Sequence, residues 1–143
     1  MTLHKNLTLP VFLLALFFVS SCSFNVSTAS ISNVLLCYAP VNKVCPADKT
    51  VFSPDAPMFF VSCNLNFAPA DTQIKFAWFN TDGQRFLIDE VILRAGDIGS
   101  GSTFSLNSTL SKPNNGWPAG NYELVISLNT DNFKPIVKTF KVM

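Results

Sequence analysis

The chain has 143 residues, of which 48% are hydrophobic and 13% are charged, with ten basic and nine acidic side chains. A chain of this length and composition can bury one core of ordinary size, which excludes an intrinsically disordered protein. The near-zero net charge provides no basic stripe for phosphate groups, so nucleic acid is not an expected partner.

The N-terminal segment combines one basic residue, Lys5, with an apolar run from Leu9 to Val19 that only Pro10 interrupts. This order is typical of a signal peptide. The run is too short to span a bilayer, which requires about 20 apolar residues. We therefore expect residues 1–21 to be a signal peptide that is removed when the protein is exported.

The apolar run ends in Val19-Ser20-Ser21-Cys22, a small-residue triplet followed by a cysteine. This tetrapeptide resembles the lipobox of bacterial lipoproteins. The resemblance implies that Cys22 becomes the first mature residue, carries two or more acyl chains and anchors the protein stably in a membrane. Because Ser23 follows the cysteine in place of the aspartate that retains lipoproteins at the inner membrane, the resemblance also implies the outer membrane or the cell surface.

Removal of the signal peptide also removes His4, the only histidine in the chain. The mature protein then has no imidazole for a Ser-His or Cys-His pair, for a general base or for a transition-metal site. We therefore expect a protein that is not an enzyme, with no catalytic residues, no metal and no cofactor.

Residues 22–30 are small and polar without periodicity, which predicts a tether between the lipid and a domain at residues 31–143. Within this domain, runs rich in β-branched and aromatic residues alternate with turn residues. The predicted strands are residues 31–38, 58–67, 73–80, 85–93, 103–110, 121–129 and 135–142. Seven short strands of this kind predict an all-β fold, an antiparallel β-sandwich.

The alternation of side chains assigns an inner and an outer face to several strands. The rows expected to face the core are Phe59, Val61, Cys63, Leu65 and Phe67 in the second strand, Ile74, Phe76 and Trp78 in the third, and Tyr122, Leu124, Ile126 and Leu128 in the sixth. Between the third and fourth strands, Asp82-Gly83 predicts a tight hairpin turn.

The C-terminal third carries a second resemblance, in the segments Gly116-Trp117-Pro118-Ala119-Gly120-Asn121-Tyr122 and Lys138-Thr139-Phe140-Lys141-Val142. With Phe52-Ser53-Pro54-Asp55-Ala56-Pro57, these resemble parts of the immunoglobulin-like domains of bacterial surface lipoproteins. The resemblance covers roughly residues 31–142 and implies a single immunoglobulin-like sandwich, in a family of unknown function, without implying any chemistry. We expect Trp117 to pack a turn and Tyr122 to form a tyrosine corner; the alternative is that both are binding aromatics.

Three cysteines follow Cys22, and an exported protein lies where disulfides persist. Cys37 and Cys45 flank a short loop that can bring them within bridging distance, whereas Cys63 falls on an apolar strand face. We expect a Cys37–Cys45 disulfide with Cys63 buried; pairing of either cysteine with Cys63 is the alternative. If Cys22 is not lipidated, four cysteines allow three connectivities.

Carboxylates provide little support for catalysis. Asp89 and Glu90 are adjacent in a predicted strand, so they point to opposite faces and cannot share a substrate. Asp97 lies between glycines, but no calcium-loop spacing accompanies it, so we expect a solvated loop. A carboxylate-dependent hydrolase therefore has the weakest support among the functions considered.

Three large apolar residues fall on the nominally polar side of their strands: Met58, Phe60 and Phe79. Apolar side chains collected on an outer face can form a partner-binding site. The alternative is that the tether, or the long loop at residues 40–57, folds across this face and covers them.

These observations predict an exported, lipid-anchored protein with a non-enzymatic binding or structural role in the cell envelope. Its expected partners are the membrane, through the lipid on Cys22, and a protein or another envelope component. The first alternative is an inhibitor of a protease or another envelope enzyme, which would insert the loop at residues 112–121 into an active site.

Overall fold

The computed structural model describes residues 23–99 and 101–143, and these residues form eight β-strands and one short helix. In chain order the elements are β1 (Ser30–Cys37), β2 (Val51–Phe52), β3 (Met58–Asn66), β4 (Gln73–Asn80), β5 (Phe86–Arg94), α1 (Ala95–Ile98), β6 (Thr103–Ser111), β7 (Gly120–Leu128) and β8 (Ile136–Val142). No helix within these two ranges is long and apolar enough to cross a membrane.

The strands form two sheets that pack face to face as a β-sandwich. One sheet has three strands in the order β1-β3-β6, and the other has five in the order β2-β8-β7-β4-β5. All neighbouring pairs are antiparallel except β2 and β8, which are parallel. This arrangement confirms the predicted antiparallel sandwich, and its strand order is immunoglobulin-like.

All seven strands predicted from the sequence are present, and each observed boundary lies within one residue of its prediction. Two short elements were not predicted. Strand β2 has two residues, and α1 is a single turn whose first residue, Ala95, is buried. Neither is long enough to produce a periodic sequence pattern.

The core lies between the sheets and is formed by the alternating rows expected from the sequence. In β4 the side chains of Ile74, Phe76 and Trp78 are buried, and in β7 the buried row runs from Tyr122 to Leu128. The indole Nε1 of Trp78 donates a hydrogen bond of 3.1 Å to Oγ of Ser108 on β6, which joins the two sheets through their interior.

One residue of the predicted core row, Phe67, is not in the core. The strand ends at Asn66, and Phe67 adopts a left-handed conformation (φ 51°) with its side chain 63% exposed. Its backbone N–H donates to the carbonyl of Ser102 at 2.8 Å. The assignment of Phe67 to the core was therefore wrong, because the backbone turns one residue earlier than the apolar alternation indicates.

The connection between β4 and β5 is also longer than a tight hairpin. Asn80 pairs with Phe86, which leaves a five-residue loop, and Gly83 takes a left-handed conformation (φ 73°) as the Asp-Gly pair predicts. Asp82 reaches across to β7, where its Oδ1 accepts hydrogen bonds from the backbone and side-chain nitrogens of Asn121. Asp82 therefore binds the start of the neighbouring strand β7 in addition to forming part of the turn.

The segment predicted to be a tether is docked on the domain. The N–H of Asn25 donates to Asp131 at 2.6 Å, and the N–H of Asp131 donates to the carbonyl of Asn25 at 2.8 Å. Ser27 and Asn132 form a second reciprocal pair, at 3.0 and 2.7 Å. Of the described part of the predicted tether, only Ser23 and Phe24 therefore precede the docked residues.

Candidate interaction surfaces

The two ends of the sandwich carry different loops. We call the N-terminal end the one formed by residues 25–29, 67–72 and 129–132, and the far end the one formed by residues 53–57, 81–85 and 112–119. The disulfide loop, residues 37–45, begins at the far end. The sites predicted from the sequence are distributed between the far end and the outer faces, apart from Cys22, which lies outside the described residues.

The predicted disulfide is present between Cys37 and Cys45, whose Cα atoms are 5.7 Å apart. Within the loop that it closes, Val41 and Val44 form two backbone hydrogen bonds of 2.9 and 3.0 Å. The N–H of Cys45 donates to Oγ of Ser62 at 2.9 Å, which fixes the loop against the outer face of β3. The loop therefore folds back over the sheet.

The disulfide loop covers one of the three candidate partner-binding residues. Phe60 is only 5% exposed and forms a small second core with Cys37 and Cys45, against which Leu35 and Met58 pack. Its side chain does point away from the main core, but the chain itself covers it. Phe60 is therefore not open to a partner, and the predicted alternative, that the loop covers it, accounts for its burial.

The other two candidates do not lie beside each other. Met58 is half-buried at the edge of the second core, on the outer face of the three-stranded sheet. Phe79 is half-buried on the opposite sheet, where the guanidinium carbon of Arg85 lies 3.5 Å from the centre of its ring. Arg85 also forms an ion pair of 2.7 Å with Glu123. The three residues therefore do not form one continuous surface.

Both candidate binding aromatics of the C-terminal third have structural roles. Trp117 is 4% exposed, stacks on Phe59 with ring centres 3.8 Å apart, and donates from Nε1 to the carbonyl of Ala56 at 2.7 Å. The hydroxyl of Tyr122 donates to the carbonyl of Pro118 at 2.7 Å, which is a tyrosine corner. Burial raises the pKa of the Tyr122 hydroxyl, so it keeps the proton that it donates.

The free thiol of the domain is Cys63, which is 2% exposed on the inner face of β3. Its burial raises the pKa of the thiol to about 12. A thiol that stays protonated at neutral pH is a poor nucleophile. Cys63 therefore acts as a small apolar core residue.

An open groove lies beside the start of the disulfide loop. Its walls include Tyr38, Lys49, Val51 and Asp55, and its volume is about 430 Å³. The ammonium of Lys49 lies 5.0 Å above the ring centre of Tyr38. This groove combines apolar and charged groups in a solvent-accessible concave surface, which is suited to contact with another molecule.

Sequence reasoning missed the exposure of β5, a strand at the edge of the five-stranded sheet. Its exposed large apolar residues are Phe86, Leu87, Ile88, Val91 and Ile92. Apolar residues in this strand come in runs and do not alternate, a pattern that favours burial on both faces, so the sequence carries no signal of this exposure.

The candidate carboxylates lie on two elements, β5 and α1. On β5, Asp89 accepts a hydrogen bond from the N–H of Glu90 at 2.9 Å, whereas Asp97 belongs to α1. Over residues 23–99 and 101–143, no three histidine, cysteine or acidic side chains come together as a metal site.

No family model matches the chain, and no curated protein matches it in sequence. Among solved structures it is similar to a β-glucosidase from Erythrobacter marinus, with 8% identity and a TM-score of 0.44 over 82% of this chain and 16% of that one. It is also similar to an alkylpurine DNA glycosylase from Pseudomonas fluorescens, with 12% identity and a TM-score of 0.46 over 81% of this chain and 30% of that one. The chain thus spans less than a third of either structure.

Proposed function

We propose that the protein is an exported lipoprotein, anchored in the outer membrane or at the cell surface by acyl chains on Cys22, whose sandwich binds a protein or another envelope component without catalysis. The lipobox-like sequence that ends at Cys22 supports export and anchoring. The Cys37–Cys45 disulfide supports an oxidising compartment, since such bonds are rare in the cytosol.

The observation that carries the proposal is the docking of residues 25–28 on the N-terminal end of the domain. Two residues, Ser23 and Phe24, separate Cys22 from Asn25, so the three steps between the Cα atoms of Cys22 and Asn25 span about 11 Å at most. A lipid on Cys22 would hold this end close to the bilayer. In an anchored monomer the far end, with the groove beside Lys49, would then be presented away from the membrane to a partner.

The anchor is tested by producing the full precursor in a bacterial host with labelled palmitate. We expect the label and the membrane association to be lost in Cys22→Ala and kept in the matched control Cys63→Ala. Photo-crosslinking residues placed at Asp55 on the far end and at Lys134 near the other end then locate the partner. An unmodified Cys22 in the intact mass contradicts the anchor, and adducts from Lys134 alone contradict the proposed orientation.

The protease-inhibitor alternative depends on the loop at residues 112–121, and the contacts of this loop do not favour it. Trp117 at its centre is buried, and the N–H of Trp117 donates to the carbonyl of Pro54 at 2.9 Å. Trp117 therefore fixes the loop to the core, and the exposed loop residues before β7 form two short stretches, 112–115 and 118–119. An inhibitor would instead present an extended exposed segment to an active site.

A further inference from the structure

Most of strand β5 is exposed on both faces because the two sheets have unequal widths, and only Leu93, near its end, packs partly against the core. The five-stranded sheet extends beyond the three-stranded one, and Trp78 on β4 already contacts β6, the edge of the smaller sheet. No strand of the described chain therefore lies opposite β5. A long apolar strand at an uncovered edge is a template for pairing with another strand.

The backbone N–H and C=O groups of β5 that have no strand partner can be identified from the hydrogen bonds that β5 forms with β4 on its other side. The N–H of Ala95, just after the strand, donates to the carbonyl of Thr72 at 2.9 Å, so the odd-numbered residues face β4. Because backbone groups alternate along an antiparallel strand, those of Glu90, Ile92 and Arg94 face away from the sheet. These three residues form the open edge.

The helix that follows β5 leaves this edge accessible. The N–H of Gly96 donates to the carbonyl of Ala70 at 2.8 Å, and Ala95 is buried in the core. Helix α1 therefore turns toward residues 70–72 at the end of the sheet, away from the open edge. Toward the start of β5, the pairing with β4 shifts register between Leu87 and Asp89, which interrupts the regular edge.

The open edge has a self-complementary sequence. Glu90-Val91-Ile92-Leu93-Arg94 has an acidic residue at one end, a basic residue at the other and three apolar residues between them. Glu90 and Arg94 are both exposed, and neither forms an ion pair within the described part of the chain. Antiparallel pairing about Ile92 places Glu90 of each copy opposite Arg94 of the other.

We propose that a second copy of this chain binds along β5, antiparallel and centred on Ile92, so that the two five-stranded sheets join into one. The pairing creates two Glu90–Arg94 cross-strand pairs on one face and two Val91–Leu93 pairs on the other. A shift that centres the pairing on Glu90 would place two carboxylates opposite each other, which is unfavourable. The charges of Glu90 and Arg94 therefore favour the register centred on Ile92. This proposal does not depend on the lipid anchor.

The test uses the mature chain, residues 22–143 carrying Cys22→Ser, examined by sedimentation equilibrium between about 1 and 500 μM. We expect a concentration-dependent dimer. The single variants Glu90→Arg and Arg94→Glu each replace two attractive pairs with two repulsive ones, which should weaken the dimer about tenfold or more. The double variant Glu90→Arg/Arg94→Glu restores both pairs and should restore the dimer.

A matched control separates this edge from general surface apolarity. Val137 on β8 is 52% exposed and Ile92 is 54% exposed, so Ile92→Lys and Val137→Lys introduce the same charge at similar exposure. Only Ile92→Lys should abolish the dimer, with circular dichroism confirming that both variants fold. A monomer at every concentration overturns the proposal, as does a dimer that survives the single reversals or that the double reversal fails to restore.

Discussion

The three cysteines of the described domain have different chemical roles although all are buried. Cys37 and Cys45 are oxidised to a disulfide, whereas Cys63 remains a thiol whose pKa burial raises to about 12. In the unfolded chain this thiol would return to its ordinary pKa near 9. Above about pH 9 the folded protein therefore keeps the proton on Cys63, whereas the unfolded chain releases it.

This difference predicts that Cys63 makes stability depend on pH under alkaline conditions. Below pH 9 both states hold the proton and its contribution is constant. Above pH 9 the unfolded state releases it first, so the free energy of unfolding should fall by about 1.4 kcal/mol per pH unit until the pH approaches 12. Urea unfolding at pH 8 and 10 checks this.

The variant Cys63→Val is the control, because it preserves an apolar core side chain and removes the ionisable group. It should fold and should lose this part of the pH dependence. Alkylation of Cys63 in the native protein at pH 8 should also be slow compared with the unfolded chain. Equal alkylation rates in both states would contradict the burial of the thiol.

Individual residues were predicted less well than the strands that contain them. The alternation placed Phe59 and Leu65 in the core, and both are fully buried, but it also included Phe67, which is exposed. It placed Phe60 on the outer face, where the structure also has it, but the alternation does not show whether a loop covers the Phe60 side chain. The error at Phe67 and the open question at Phe60 both depend on the path of the chain beyond the strand, which local periodicity does not encode.

At the scale of elements, the seven long strands were predictable because each alternates or is bounded by strong turn residues. Strand β2 was not, since a two-residue parallel pairing with β8 depends on a partner about 90 residues away in sequence. The exposure of β5 was not predictable either. It follows from the number of strands in each sheet, which no single segment specifies.

The disulfide loop is an element whose contribution can be measured directly. Removing the bridge with Cys37→Ala/Cys45→Ala should lower the free energy of unfolding by about 2–3 kcal/mol, because the unfolded chain is no longer constrained. Phe60→Ser in the bridged protein should cost about 2–4 kcal/mol, since this ring is buried. Chemical denaturation of both variants gives these values.

Combining Phe60→Ser with Cys37→Ala/Cys45→Ala tests whether the disulfide loop covers Phe60. If the loop loosens without its bridge, Phe60→Ser should cost less in the Cys37→Ala/Cys45→Ala background than in the bridged protein. Additive effects would contradict the idea that the bridge holds the loop on the ring. A cost below about 1 kcal/mol in the bridged protein would show that Phe60 is exposed.

At the scale of the whole molecule, the Trp78–Ser108 hydrogen bond links the two sheets in a region without other polar side-chain pairs between β4 and β6 in the described residues. Ser108→Ala leaves a buried indole N–H without a partner and should cost about 1–3 kcal/mol. Ser105→Ala, at an exposed position of the same strand, should change stability by less than about 0.5 kcal/mol.

The double variant Trp78→Phe/Ser108→Ala removes both partners at once. Its cost should be smaller than the sum of the two single costs, by roughly 0.5–3 kcal/mol, because neither polar group is left unsatisfied. A thermodynamic cycle from urea unfolding of the four proteins measures this coupling. Strict additivity would mean that water replaces the bond in the single variants.

The position of the open edge relative to the docked N-terminal segment has a consequence for how the protein would stand on a bilayer. Residues 90–94 lie at the same end of the sandwich as Asn25, because Arg94 pairs with Gln73 and the N–H of Gln73 bonds Asn129. In the proposed dimer both acyl chains would therefore emerge near the middle, and the far ends would point in opposite directions, each about 20 Å from the twofold axis at 3.3 Å per residue. An anchored monomer can hold its long axis along the membrane normal, whereas an anchored dimer would lie with its long axis parallel to the membrane. Neutron reflectometry on supported bilayers should then find a thinner protein layer for the wild type than for Ile92→Lys, and equal layers would rule this geometry out.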